Sequence, residues 1–298
     1  MEVIRFKDMK FTKMHGCGND YVYVDGKSEK ISQEKKSELA IKVSDRHFGI
    51  GSDGLIFINP VDDESIDFEM EMYNADGSRS EMCGNGIRCV AKYVYDKGLT
   101  TKKNLVIVSA GKKKYIDLTI GDDGMVSSVK VDMGAPILKP EEVPVCINNG
   151  EKTDMVVNAP IVVDGKEWHM TCVSMGNPHA VVFLPEDMSL ENFDIEKIGP
   201  KFENHEFFPR RVNTEFVKID DKNNVHMRVW ERGTGETLAC GTGCCATGVA
   251  CVLNGLTDSN VTVHVLGGEV KVSWDGVSGS SVIMEGPATT VFEGEIEV

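Results

Sequence analysis

Two cysteines in this sequence are each followed by Gly-x-Gly, in Cys83-Gly84-Asn85-Gly86 and in Cys240-Gly241-Thr242-Gly243. The residues after each glycine pair read as a helix, so each thiol is expected at a helix N-terminus. Unpaired backbone N–H groups and the positive end of the helix dipole favour an anion there, and cysteine pKa values at such positions fall well below the free value of about 8.5. The glycines let a ligand carboxylate come close to the same N–H groups. A tetrahedral carbon held between two such thiols can lose a proton to one and regain a proton from the other, which inverts it. Charge that builds up on an adjoining carboxylate needs oriented donors, and helix N-termini supply them.

Other chemistries fit less well. The stretch Gly49-Ile50-Gly51-Ser52-Asp53-Gly54 has the outline of a dinucleotide fingerprint, but it precedes a strand instead of opening a helix. There is no P-loop and no sign of a Schiff-base lysine, so no cofactor is expected. Cys240, Cys244, Cys245 and Cys251 would lie along one helix at a spacing that matches no standard zinc pattern, so no metal is expected. Cys244, Cys245 and Cys251 are expected in the core, and Cys17, Cys89, Cys146 and Cys172 as filler. Arg88 and Lys92 read as solvated or structural, and Lys112-Lys113-Lys114 as a solvated turn.

The bulk composition bounds the answer. At 298 residues, with 41% hydrophobic and 27% charged residues, the chain has the make-up of a globular protein with room for two domains. A formal charge of -15 argues against nucleic acid or an anionic membrane as partner. The apolar runs are strand-sized, and Met1 to Phe6 lacks the apolar centre of a signal peptide, so a cytoplasmic location is expected. Nine cysteines, an odd number without secretory context, point to reduced thiols.

The elements that must position the two cysteines recur. Tyr21 to Gly26 reads as a strand, Ser32 to Val43 as a helix, Leu55 to Ile58 and Asp67 to Tyr73 as strands, and Gly86 to Asp96 as the helix after Cys83. In the second half, Gly176-Asn177-Pro178 stands before a strand as Gly18-Asn19-Asp20 does. Arg211-Val212-Asn213-Thr214 opens a strand, and a further strand and loop deliver Cys240. These matches recur in one order at intervals of about 160 residues, far too long a period for a solenoid. We therefore expect an α+β fold of two pseudo-symmetric domains, each a mixed or antiparallel sheet curled around a central helix, with the active site in the inter-domain cleft. The expected bounds are residues 1–129 plus 286–298 for the domain with Cys83, and 130–285 for the domain with Cys240.

At these motifs the sequence resembles diaminopimelate epimerase, a cofactor-independent amino-acid epimerase that uses two cysteines. The resemblance rests on Gly18-Asn19-Asp20-Tyr21, Tyr73 to Ser78, Met82 to Arg88, Gly176-Asn177-Pro178-His179, Arg211-Val212-Asn213 and Glu231 to Gly243, which run through nearly the whole chain in the family's order. It implies that Cys83 and Cys240 are the acid/base pair and that His179 and Glu231 support the reacting amino group and proton transfer. It further implies that Asn19, Asn74, Asn177, Asn213 and Arg232 bind the polar ends of the substrate, with Gly84-Asn85 and Gly241-Thr242 cradling the reacting carboxylate. A guanidinium suits a distal carboxylate through its two-pronged geometry. The implied reaction turns LL-diaminopimelate into the meso form, with a small amino acid as the only partner and homodimerisation left open. Two alternatives are a related racemase of another amino acid, such as histidine, and a non-catalytic amino-acid-binding protein. Gly54 stands where many family members carry glutamine, and Cys244-Cys245 where one cysteine is more usual.

Overall fold

The computed structural model describes residues 8–80, 83–147 and 153–297. Glu81 and Met82, the lead-in to the first cysteine motif, lie outside the described residues, as do Met1 to Phe6. The chain divides into two compact units, Met1–Val131 with Gly286–Val298, and Asp132–Glu285.

In chain order the first part runs β1 (Asp8–Gly16), β2 (Asn19–Asp25), α1 (Gln33–Ser44), β3 (Gly54–Asn59), β4 (Phe68–Asn74), β5 (Arg79–Ser80), α2 (Gly84–Asp96), β6 (Asn104–Ser109), β7 (Lys112–Ile120) and β8 (Val126–Asp132). The second runs β9 (Ala159–Val163), β10 (Lys166–Ser174), β11 (Pro178–Phe183), α3 (Ile195–Glu203), β12 (Asn213–Ile219), β13 (Asn224–Glu231), β14 (Gly235–Thr237), α4 (Gly241–Leu253), β15 (Asn260–Val265), β16 (Gly268–Ser273) and β17 (Ile283–Gly286). The closing strand β18 (Thr289–Glu297) returns to the first unit and pairs antiparallel with β1.

The two sheets follow one plan. In the first unit the order is β18-β1-β2-β3-β4-β6-β7-β8, antiparallel throughout except for the parallel pairs β2–β3 and β4–β6. In the second it is β9-β10-β11-β12-β13-β15-β16-β17, with the parallel pairs β11–β12 and β13–β15 in the same places. Helix α2 packs on β1 and β2 and also on β6 and β7, so the sheet closes around it; α4 packs likewise on β10, β11, β12, β15 and β16. The expected α+β class, with a sheet curled around one helix in each unit, holds.

Burial explains why these helices sit inside. From Gly84 to Ala91 every residue of α2 is buried, and from Gly243 to Cys251 every residue of α4 is, including Cys244, Cys245 and Cys251. Helices α1 and α3 instead cover outer faces. Leu39, Ala40 and Val43 of α1 join Val22, Val24, Leu55 and Phe57 in one apolar cluster. Phe202 of α3 joins Trp168, Phe193 and Phe216 in another. Aromatic pairs there meet edge to face, as the ring quadrupole favours.

Two expectations are corrected. Lys112 to Lys114 is no turn: the turn is Ala110-Gly111, both at positive φ, and the lysines begin β7, Lys112 and Lys113 exposed and Lys114 half-buried. Of the solvated and structural roles left open for Arg88, the structure gives the second: it is fully buried, and its guanidinium donates to Asn85 Oδ1, to Gly84 O and to Pro287 O. Cys146 is exposed, so it fills no core.

A buried carboxylate ties α1 to the first sheet. Glu71 of β4 accepts hydrogen bonds from Lys36 and Gln33 of α1 and from Asn59 and Tyr73 at 2.6 to 2.9 Å. Burial opposes its charge, but the Lys36, Gln33, Asn59 and Tyr73 donors outweigh that and hold its pKa at about 2, against 4.5 unperturbed. A depressed carboxylate pKa contributes stability above the unfolded value and loses it as pH falls through the folded one. The unfolding free energy should therefore drop by up to about 3 kcal/mol through this group between pH ~5 and pH ~2. Glu71→Gln should flatten that part of the denaturant-midpoint profile, whereas an identical pH slope in the variant would contradict the assignment.

Candidate active site

Both cysteines occupy the N-cap of their helix in extended backbone, Cys83 at φ -134° and ψ 115°, Cys240 at φ -117° and ψ 110°. The glycine after next is needed on steric grounds in each. A Cβ on Gly86 would stand 2.9 Å from Ile56 Cδ1 and 3.3 Å from Cys83 Cβ; one on Gly243 would stand 2.7 Å from Glu215 Oε1 and 3.2 Å from Cys240 Cβ. Side chains there would push the sulfur off the helix start.

Around Cys83 the sequence-named residues come together. Its Sγ accepts from Gly86 N at 3.2 Å and donates to Asn19 Oδ1 at 3.1 Å; Asn85 Nδ2 reaches the same oxygen at 3.4 Å. Asn85 is buried and held by Arg88. Gly84, also buried, forms the first turn with Asn85. Asn74, at the end of β4, donates from Nδ2 to Ser78 Oγ at 3.0 Å. A Cβ at Gly54 would meet Tyr73 O at 2.1 Å and Tyr21 Cε1 at 3.0 Å, so this backbone has no room for the glutamine of other family members.

Around Cys240 the environment differs. Its Sγ lies 3.4 Å from Thr242 Oγ1, beside buried Gly241. Burial first, then the negative charges of Glu231 and Glu215, push its pKa well above the thiol's ordinary value. This corrects the expectation of an exposed, low-pKa thiol: the helix N-terminus is outweighed by desolvation and two carboxylates. Burial likewise raises the Glu231 pKa, against the opposing pull of Thr237, whose hydroxyl donates to Glu231 Oε1 at 2.5 Å.

His179 is wholly buried, with Nδ1 2.7 Å from Glu215 Oε1 and Nε2 3.0 Å from Asn177 Oδ1, so both ring nitrogens face oxygen acceptors. Among the described residues, Glu215 Oε2 is buried without a hydrogen-bond partner. Asn213 is also buried; its Nδ2 donates to Pro178 O at 3.1 Å and its Oδ1 accepts from Arg232 N at 2.8 Å. Arg232 is exposed, with Nη1 on Arg210 O at 3.0 Å. Its loop is braced from below by buried Glu203, which accepts from Arg211, from the Trp230 indole and from Gly233 N at 2.7 to 2.9 Å.

Sequence reasoning missed Asp53, Glu203 and Glu215. Glu215 had a usable signal: it is an acid directly before the apolar pair Phe216-Val217 in a strand, two residues after Asn213. Glu203 had none, since a glutamate at a helix end is ordinarily solvated.

A family model described as Diaminopimelate epimerase matches residues 11–139 and 171–291. The diaminopimelate epimerase of Agathobacter rectalis is 54% identical over 293 residues, covering 97% of this chain and 100% of the relative. Those of Acetivibrio thermocellus and Methanococcus maripaludis are each 53% identical over 290 residues, covering 97% of this chain and 99% and 100% of the relatives. A Bacillus anthracis phenazine biosynthesis protein of the PhzF family superposes with a TM-score of 0.67 at 18% identity, over 98% of this chain and 100% of that one. A hydroxyproline epimerase from Agrobacterium vitis superposes with a TM-score of 0.63 at 15% identity, over 98% of this chain and 92% of that one. At such identities the two structures speak for the fold alone.

The electrostatics around Cys240 can be checked directly. Glu231→Gln removes the stronger of the two negative charges acting on the thiol, so the pH midpoint for iodoacetamide labelling of the Cys240 peptide should move down. A midpoint that stays put or rises would contradict the stated cause.

Proposed function

The chain belongs to the diaminopimelate epimerase family, and from that premise we propose that it interconverts LL- and meso-diaminopimelate without a cofactor, with Cys83 and Cys240 acting on opposite faces of one α-carbon. The observation that carries this reading is the duplicated cysteine cap. Each unit places a thiol and the backbone N–H groups of a glycine-opened helix start at the equivalent position. That is the pair of functions needed to move an α-proton: a base beside the carbon, and donors for the carboxylate on which charge accumulates.

In this mechanism one cysteine takes the α-proton as thiolate while the other, as thiol, protonates the opposite face. The N–H groups at Gly84-Asn85 and Gly241-Thr242 hold the reacting carboxylate, and Glu231 with His179 supports the reacting ammonium and the proton transfer. The raised pKa of Cys240 fits a thiol that carries its proton until a substrate ammonium enters beside Glu231 and Glu215 and offsets their charge. Asn19, Asn74, Asn177, Asn213 and Arg232 bind the polar ends of the substrate. Arg232 is the cation suited to the distal carboxylate, and its exposed guanidinium sits on a loop that Asn213 and Glu203 fix in place.

Purified protein given LL-diaminopimelate and no pyridoxal phosphate should produce the meso isomer, resolved by chiral chromatography. Failure to form it, with turnover of another amino acid in a substrate panel, would move the assignment to a related racemase. Cys83→Ala and Cys240→Ala should each lower turnover by roughly a thousandfold or more, since neither thiol can serve both faces. Near-normal rates in either variant would exclude the two-base mechanism.

A further inference from the structure

A carboxylate that the mechanism does not use stands behind Asn19. Asp53, in the loop before β3, accepts from Asn19 Nδ2 at 2.7 Å and from Asp20 N at 3.1 Å, both at Oδ2. Its Oδ1 takes Arg46 Nη2 at 2.8 Å. Its own backbone is fixed from two sides: Asp53 N donates to Asp20 O at 2.8 Å, and its carbonyl accepts from Ala75 N at 3.0 Å. Asp20 is held in turn by Arg46 and by Lys13, with Lys13 Nζ also bonded to Gly51 O.

This arrangement decides which end of the Asn19 amide meets the sulfur. A carboxylate accepts and cannot donate, so it takes the NH2 end of Asn19. The carbonyl end is then left pointing at Cys83, where it accepts from Sγ at 3.1 Å. An acceptor at that distance favours the proton-bearing thiol and opposes the thiolate; the amide turned over would do the reverse. We propose that Asp53 is a positioning residue that locks the Asn19 carboxamide with its oxygen toward Cys83 and thereby keeps Cys83 protonated until substrate arrives. This rests on the two-cysteine reading above for its meaning in turnover, but not for its chemistry.

Among the described residues of the second unit, the equivalent amide is held differently. Asn177, the counterpart of Asn19 in the repeat, turns its oxygen to His179 Nε2 at 3.0 Å instead of to Cys240. Cys240 is kept protonated by burial and by Glu231 and Glu215. The two units thus reach one protonation state by different means. The groups facing Cys83 are Tyr21 and Tyr23 of β2 and Cys89 of its own helix, all buried, with Arg88 behind Asn85 and the Asp53, Asp20, Arg46 and Lys13 cluster beyond Asn19.

The test is the rate at which iodoacetamide modifies the Cys83 peptide, followed by mass spectrometry across pH. It needs no turnover, so it stands even if the chain proves to act on another substrate, and meso-product formation remains the separate test of that reading. Asp53→Ala frees the amide to turn over, and labelling of Cys83 at neutral pH should rise about tenfold, equivalent to about one pH unit in midpoint. Asp53→Asn keeps an oxygen for Asn19 Nδ2 and Asp20 N while removing the charge, and should stay within about twofold of the parent. If Asp53→Ala labels like the parent, or Asp53→Asn rises as far as Asp53→Ala, the lock is overturned, in the second case in favour of a plain charge effect. Should Asp53→Ala not fold, the parent protein supplies the answer. The Asn19 side-chain NH2 resonances should follow the Asp53 titration in 1H–15N spectra, and their indifference to it would overturn the proposal.

Discussion

A cysteine can cap a helix and still present its sulfur only if the next turn leaves room for it. At Gly86 and Gly243 a single added carbon would stand 2.7 to 3.3 Å from the cysteine or from the residue behind it. The nearest of these contacts are with the ends of the Ile56 and Glu215 side chains, which would have to shift, while the cysteine Cβ would be crowded at 3.2 to 3.3 Å. The glycines thus keep the thiol's position uncrowded, and they stand in the first turns of α2 and α4, the end of a helix that favours an anion. The burial of both helices inside a curled sheet is what makes this condition rigid, because neither helix start can drift away from its strands.

The same plan, built twice, does not give two identical environments. Cys83 exchanges hydrogen bonds with a neutral amide and a backbone N–H. Cys240 sits among carboxylates, a buried histidine and a threonine, and its thiol is held up by burial and by negative charge. An epimerase that works in both directions needs each thiol to serve as acid and as base. Different surroundings are compatible with that if the substrate's own charges enter the balance when it binds, and a zwitterionic amino acid brings one charge of each sign.

Much of this was legible in the sequence, for identifiable reasons. Helix and strand periodicity located α1, β3, β4 and α2 to within a residue or two, because each carries a buried face. Asn19 and Asn85, and likewise His179 and Asn213, could be singled out because they sit in motifs tied to turns and helix starts, and the structure puts the first two beside Cys83. The pKa of Cys240 was not legible. The local rule for a thiol at a helix N-terminus is sound, but Glu215 is brought in by the pairing of β12 with β13, and burial outweighs the dipole. Arg88 was readable only as solvated or structural, and its burial decides for the second: it is walled in by Asn85, Gly84 and the returning Pro287. Asp53 escaped notice because its partner Asn19 lies on another strand, and only the parallel pairing of β2 with β3 brings them together.

The central claim is that two thiols divide the work on one stereocentre, and the isotope content of both amino-acid pools during early turnover in deuterated water tests it most directly. Two bases predict that the meso product carries solvent deuterium at the inverted carbon while the recovered LL substrate still carries protium, because each thiol returns to its own face the proton it took. Deuterium entering the recovered LL pool as fast as product forms would contradict the account.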